Sequence, residues 1–320
     1  MRVGDMAIGL ILPSKGEGTG PESLDAAASA VSVLGWNSVW VTDHMMVPAG
    51  DEADEYGHIL EALTALTYVG ARHPHLQLGT SVLVPAMRDA PQLAKEIATI
   101  DVLLGGRLTV GVGVSDSGDL AEYTNLGKAA RFTARGGYLD ETIALWRHLW
   151  SGSTAPFRGE HHVLEDFTFL PLPPRGAAIP IWCGGRSARA LRRTAELCDG
   201  YHAAQTGPEH LRERLPALRA AVERTGRPFP TVSVRARVKF GARPGPVYAI
   251  VGEPADMVAD VAAFAEQGVD ELIVVVEGSR PEQVEANIGR FHREVLEPAA
   301  ALAARRVRAG SRTGARTGAG

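Results

Sequence analysis

The chain has 320 residues, 45% hydrophobic and 22% charged, with a formal net charge of −4. This composition belongs to a folded globular protein and excludes a disordered or collagenous chain, and the near-neutral balance gives no pull toward nucleic acid or a membrane surface. Its two cysteines, Cys183 and Cys198, are too few for a disulfide framework and fit a reducing compartment.

The run Met6–Leu12 is apolar and strand-sized, and too short for a secretory leader. No run of about 18 apolar residues is present to span a bilayer, so a cytoplasmic setting is expected. The loop Pro13–Gly20 carries glycines at 16, 18 and 20, a spacing that fits neither a dinucleotide fingerprint nor a P-loop. Pro21 opens a helix whose apolar face is Ala26, Ala27, Ala30, Val31 and Leu34. The next strand, Ser38–His44, is rich in β-branched and aromatic residues and ends in Asp43 and His44. A helix over 58–72 and a strand over 76–85 follow. The helix over 90–104 is stopped by Gly105-Gly106. The fourth strand, Leu108–Gly113, contains Gly111 and Gly113, which imply that another group approaches its backbone closely.

Residues 114–133 read as a long polar connection, and a strong helix is predicted over 134–151. Residues 153–178 break the rhythm and read as an insertion, a hairpin followed by Pro-rich extended chain. The rhythm resumes with the strand Ile179–Cys183, the turn Gly184-Gly185-Arg186-Ser187, and a helix over 188–198. A strand at 200–204 and a helix at 208–225 come next. They are followed by a strand at 231–241, a helix at 254–267, a strand at 271–276 and a helix at 281–304. Eight apolar strands, each followed by a helix, predict a parallel sheet covered on both faces. The fold expected is α/β, a (β/α)8 TIM barrel over residues 1–304 with its insertion after the fourth helix. A doubly wound open sheet is the alternative; it would need a topological switch point. The tail, residues 305–320, has five Arg and no acid and is expected to be disordered.

In such a barrel, catalytic groups stand at the C-terminal ends of strands. Asp43 and His44 qualify, and imidazole is the side chain suited to proton transfer near neutral pH; a structural Asp–His pair is the other reading. The turn Gly184-Gly185-Arg186-Ser187 brings bare backbone, two donors and a helix N-terminus together, the makings of a phosphate cradle; it can also be read as a glycine turn with a serine cap. His73 with His75, and His161 with His162, lack further ligands at metal spacing, so no metal site is expected. Arg135, Asp140 and Glu141 read as a structural charge cluster.

Several segments together resemble the luciferase-like flavin and deazaflavin oxidoreductases: Gly35–His44, Leu78–Pro85, Ala94–Asp101, Gly105–Gly113 and Pro180–Gly185. The likeness runs from about residue 6 to 300. It implies a TIM barrel and a reduced flavin or deazaflavin ring at the C-terminal mouth. It also implies a non-prolyl cis peptide at Ser81-Val82 against that ring, contacts from Gly113 and Ser115, and a cofactor phosphate at Gly184, Gly185, Arg186 and Ser187. His44 would sit at the reacting centre with Asp43 as its orienting partner. After the fourth strand the chain departs from the family, with Gly111-Val-Gly-Val-Ser-Asp116 where relatives often have Gly-x-Gly-x-Gly-Trp. The likeness implies hydride transfer between coenzyme F420 and a small-molecule substrate. The alternative is a two-component FMN monooxygenase with a separate flavin reductase, and a non-catalytic flavin-binding protein is a further one. A homodimer is also implied.

Overall fold

Eight of the apolar runs form eight parallel strands in a computed structural model that describes residues 1–116 and 118–314, with side chains left aside at 51, 52 and 307–314. They are β1 (Met6–Ile11), β2 (Ser38–Val41), β3 (Gln77–Thr80), β4 (Leu108–Val112), β5 (Ile181–Gly184), β6 (Gly200–Ala204), β7 (Thr231–Phe240) and β8 (Glu271–Val275). Each pairs in parallel with the next. β8 pairs back onto β1, from Glu271 beside Ala7 to Val274 beside Leu10, so the sheet closes on itself. A closed sheet has no open edge and no switch point, which settles the (β/α)8 barrel against the open sheet. The surrounding helices are α1 (Pro21–Val33), α2 (Ala62–Arg72), α3 (Ala90–Leu103), α4 (Arg135–Trp150), α5 (Ala188–Leu197), α6 (Pro208–Glu223), α7 (Pro254–Glu266) and α8 (Pro281–Phe291).

Successive strand side chains point to opposite faces, and β2 shows what this does. Val39 and Val41 join the large cluster between barrel and helices. Trp40 instead joins Ile11, Trp182 and Ile273 in a separate cluster within the barrel. The Trp40 and Trp182 rings stack with centroids 5.0 Å apart, and Trp40 stacks on His202 at 5.7 Å. Two indoles fit only because the neighbouring strands carry no side chain there. A Cβ on Gly79 would lie 2.1 Å from the Trp40 ring, and one on Gly200 would lie 2.2 Å from Trp182. Large and small residues thus fill one barrel layer between them.

Local chemistry moved several boundaries. The helix expected over 58–72 starts at Ala62, because the Glu61 carboxylate caps it by accepting from Thr64 N at 2.8 Å. Residues 58–60 are drawn instead to the first loop, where Gly16 N donates to His58 O and Leu60 N donates to Ser14 O, both at 2.8 Å. The polar connection 114–133 contains a short helix, Leu120–Asn125, and another, Asp51–Tyr56, precedes α2. A strand at Ile250–Gly252 extends the far end of β7. The insertion holds an antiparallel pair, Phe157–Arg158 with Val163–Leu164. A final helix, Glu297–Gly314, continues through the first part of the stretch whose composition reads as a tail, and Arg306 pairs with Glu266 of α7. Residues 315–320 lie outside the described residues. Among the described residues no helix is long and apolar enough to cross a membrane.

Candidate active site

The C-terminal mouth of the barrel is shaped by a bulge after β3. Beyond Thr80 the peptide between Ser81 and Val82 is cis, at the position implied by the family likeness. The chain then returns to pair Leu83 with Val112: Leu83 N donates to Gly111 O and Gly113 N donates to Leu83 O, both at 2.8 Å. The groups that crowd Gly111, and Gly113 just beyond β4, are therefore the end of β3 and this bulge. A Cβ on Gly111 would lie 1.9 Å from Thr80 O, and one on Gly113 would lie 2.6 Å from Val82. Above the bulge opens a cavity of about 400 Å³ lined by Asp43, His44, Ser81, Val82, Gly113, Ser115, Gly184, Gly185 and Arg186. Nine of the ten candidate residues thus share one cavity. Ser187 is exposed and outside that lining; its hydroxyl caps α5 by accepting from Ala190 N at 3.2 Å.

Asp43 and His44, adjacent in sequence, serve different neighbours. The Asp43 carboxylate takes both Arg88 terminal nitrogens, at 2.6 and 2.7 Å, and Val84 N at 3.0 Å. It fastens the segment that follows the bulge. The carboxylate on His44 belongs to Glu122, whose Oε2 lies 2.9 Å from His44 Nδ1. This corrects the expectation that Asp43 orients His44: the Asp43 carboxylate is committed to Arg88 and Val84, and the carboxylate that reaches the imidazole is Glu122. The Glu122 side chain is 1% exposed and also accepts from Met45 N (2.5 Å) and Met46 N (3.0 Å). Glu122 was missed in the sequence because it stands on the short helix inside residues 114–133. The available signal was a carboxylate beside Tyr123, which is fully buried.

Two further residues belong to the mouth: His202, which the strand-end rule offers as a candidate without a role, and Arg235, which escaped the sequence reading. His202, on β6, is held between the hydroxyls of Ser81 and Ser233, both at 2.8 Å. Burial, reinforced by the Arg235 charge, pulls its pKa down to about 3, so it is a neutral imidazole beneath the bulge. Arg235, on β7, donates to Ser81 O at 2.9 Å and to Thr42 Oγ1 at 3.0 Å. Ser115 and Gln205 both line the cavity, and they are the non-glycine residues with positive φ (67° and 51°) among the described residues. Backbone held in that region is concentrated at ligand sites. The Ser115 hydroxyl is buried without a hydrogen-bond partner, a polar atom available to a ligand.

The electrostatics of the dyad follow from its geometry. Burial works against a charged His44, yet the hydrogen bond and charge of Glu122, with Asp119 and Asp43 behind it, lift the imidazole pKa above its ordinary value. For Glu122 burial favours the neutral acid, but the His44 hydrogen bond and the Met45 N–H keep its pKa below the usual range. The raised His44 value means that its share of stability is present below pH 6.5, the ordinary histidine pKa, and is lost as pH rises through the raised value. The lowered Glu122 value means that its share is lost only as pH falls through that value. Glu122→Gln is expected to lower the His44 pKa, because the hydrogen bond and charge that raise it are lost. An NMR titration of the imidazole checks this, and an unchanged midpoint would remove Glu122 from the role. Such a dyad can accept or release one proton at Nε2 near neutral pH. Among the described residues no group of three His, Cys, Asp or Glu side chains is placed to hold a metal.

Comparison with known proteins extends this geometry. Residues 1–246 match the model of a family described as luciferase-like monooxygenase. An F420-dependent glucose-6-phosphate dehydrogenase of Nakamurella multipartita is 32% identical over 212 residues, 65% of this chain and 60% of that protein. The protein of the same name from Kineococcus radiotolerans is 30% identical over 234 residues, 72% of this chain and 67% of that one. The chain thus spans about 60% to two thirds of the length of these curated relatives. In three dimensions it is similar to an F420-dependent secondary alcohol dehydrogenase in complex with an F420-acetone adduct. The TM-score is 0.77 at 17% identity, over 94% of this chain and 99% of that one. It is also similar to the oxygenating constituent of 3,6-diketocamphane monooxygenase from Pseudomonas putida in complex with FMN. There the TM-score is 0.72 at 14% identity, over 91% of this chain and 97% of that one. At these identities the structural matches speak for the fold.

Proposed function

The chain belongs to the luciferase-like monooxygenase family, and from that premise we propose that it is an oxidoreductase moving a hydride between coenzyme F420 and a small organic substrate. The observation that carries this reading is the His44–Glu122 dyad in the same cavity as the Ser81–Val82 bulge. The relatives named as F420-dependent support the choice of cofactor. The residues fit a flat, tailed cofactor. The cavity, about 400 Å³, is within the range of ligand pockets, roughly 300–1,000 Å³. Ser81 and Val82 would lie against the ring, and the orphaned Ser115 hydroxyl would meet a polar atom of it. Gly184, Gly185 and Arg186, at the start of α5, would take a phosphate of its tail.

Bound F420 supplies the carbon that accepts or returns the hydride. In the oxidising direction the substrate is an alcohol. Its C–H bond breaks with the electron pair, its O–H bond breaks with the proton going to His44 Nε2, and the C=O bond forms. Glu122 holds the opposite ring nitrogen and steadies the imidazolium that results. Arg235 and neutral His202 form a rigid polar floor that takes no proton in this step. Asp43 keeps the bulge in place through Arg88 and Val84.

The family description and the FMN-bound neighbour favour a second reading, an FMN-dependent monooxygenase served by a separate flavin reductase. Separate calorimetric titrations with F420 and FMN decide between them. Saturable F420 binding at micromolar concentration, with FMN weaker, is the expected result; FMN binding alone, with oxygen uptake on adding reduced FMN, would overturn the first reading. A cytoplasmic homodimer belongs to the same reading. Two buried free cysteines support the compartment, and exposed Val33 and Leu103 offer apolar surface for association.

A further inference from the structure

The Glu122 bond fixes one nitrogen of His44 but leaves the imidazole free to turn about that contact. Nε2 has no hydrogen-bond partner among the described residues, so something else must set the ring plane. That contact comes from Tyr56, whose ring lies 4.2 Å from the His44 ring, centroid to centroid, at an interplanar angle of 32°. Tyr56 also lines the cavity. It sits at the end of the short helix Asp51–Tyr56, an excursion between β2 and α2 that pairs with no strand of the barrel.

Such a helix would be loose without an anchor, and Glu55 provides one. Its carboxylate takes Lys15 Nζ at 2.5 Å, from the loop after β1, and a terminal nitrogen of Arg237, from β7. Burial would raise the Glu55 pKa, but the hydrogen bond and charge of Lys15 and the charge of Arg237 hold it at about 2. The anchor is therefore ionised at any working pH. The same Lys15 ammonium stands 3.9 Å over the Tyr56 ring centroid, and Arg237 reaches the Tyr56 hydroxyl at 3.5 Å. Two sides of the barrel thus hold one aromatic ring against the imidazole.

We infer that Tyr56 is a positioning residue that fixes the plane of the His44 imidazole, and that Glu55, tied to Lys15 and Arg237, is the latch that holds Tyr56 there. The inference rests on the proton-transfer role proposed for His44. It accounts for a carboxylate shared by two cations at the mouth that the proposed chemistry does not use.

The test is a double-mutant cycle read by kinetics and by NMR. Tyr56→Leu is expected to lower kcat by about 10- to 100-fold, as small misplacements of a reacting group do, with little change in the KM for cofactor. Tyr56→Phe, which keeps the ring, is expected to recover most of that loss. Glu55→Gln is expected to lower kcat, and to have no further effect in the Tyr56→Leu background, because it acts through that ring. In the ligand-free protein, the His44 ring signals are expected to broaden or double in Tyr56→Leu and Glu55→Gln but not in Tyr56→Phe. Multiplicative kinetic effects, or a His44 spectrum that Tyr56→Leu leaves unchanged, would overturn the inference. The NMR arm needs neither cofactor nor substrate, so it still decides on Tyr56 if the protein transfers no hydride.

Discussion

A His44→Ala variant is expected to turn over about 10²- to 10⁴-fold more slowly than the parent protein while binding its cofactor with similar affinity. The expectation follows from where the imidazole stands. Its Nδ1 is occupied by Glu122, and its ring edge faces a cavity whose remaining contacts come from backbone and from other side chains. Removing it takes away a proton acceptor but leaves the bulge, the Gly184–Arg186 turn and the Ser115 hydroxyl in place. Neither nearby group can replace it. His202 is neutral down to about pH 3 and is engaged by two serines. Asp43 is bound to Arg88 and Val84. Steady-state kinetics with a parallel binding titration make the comparison. Full turnover in the variant would show that the proton goes elsewhere.

The largest structural effect is expected at Gly111. A Cβ there would lie 1.9 Å from Thr80 O. That neighbour is backbone, so no rotamer can relieve the overlap. The added methyl must either push β3 from β4 or displace the bulge that Leu83 pins to Gly111 and Gly113. Gly111→Ala is therefore expected to cost about 3 kcal/mol or more of stability, the upper end of overpacking effects, and to abolish cofactor binding in whatever fraction still folds. Denaturant melting followed by titration of the folded material measures both. The contrast is with Gly226, where a Cβ would meet nothing within 4 Å; its φ of +67° remains, so any cost there is one of backbone conformation alone.

The barrel was legible because its signal is repeated: eight apolar runs, eight helical periods, and punctuation by glycine and proline between them. Candidate positions at the mouth were legible where one residue type can be placed by a strand end, as with His44, or by a turn, as with Gly184 and Gly185; all three line the cavity. It was not legible where the partner arrives from a distant segment. Glu122 is 78 residues from His44, on a helix of six residues too short to carry a period. Asp43 misled for the opposite reason, since adjacency in sequence is not contact: its carboxylate turns to Arg88 and Val84, 45 and 41 residues away. Gly111 and Gly113 announced a close approach, but what approaches is set by the bulge of another strand. The start of α2 was misplaced because apolar spacing continues through residues 58–60, whereas their hydrogen bonds go to the loop after β1.

The indole layer inside the barrel has an optical consequence. Trp40 and Trp182 stack on each other, and Trp40 stacks on His202, which itself lines the mouth. Trp146 and Trp150 stand apart from this layer, on α4, where each donates to a carbonyl of α3. The five tryptophans therefore divide into an inner pair one residue from the ligand cavity and an outer set in the helical shell, where Trp36 joins Trp146 and Trp150 by donating to His292 at 3.2 Å. Light emitted by the first reports what settles at the mouth, and light emitted by the second reports whether the shell is intact, so one spectrum carries separate accounts of occupancy and of folding.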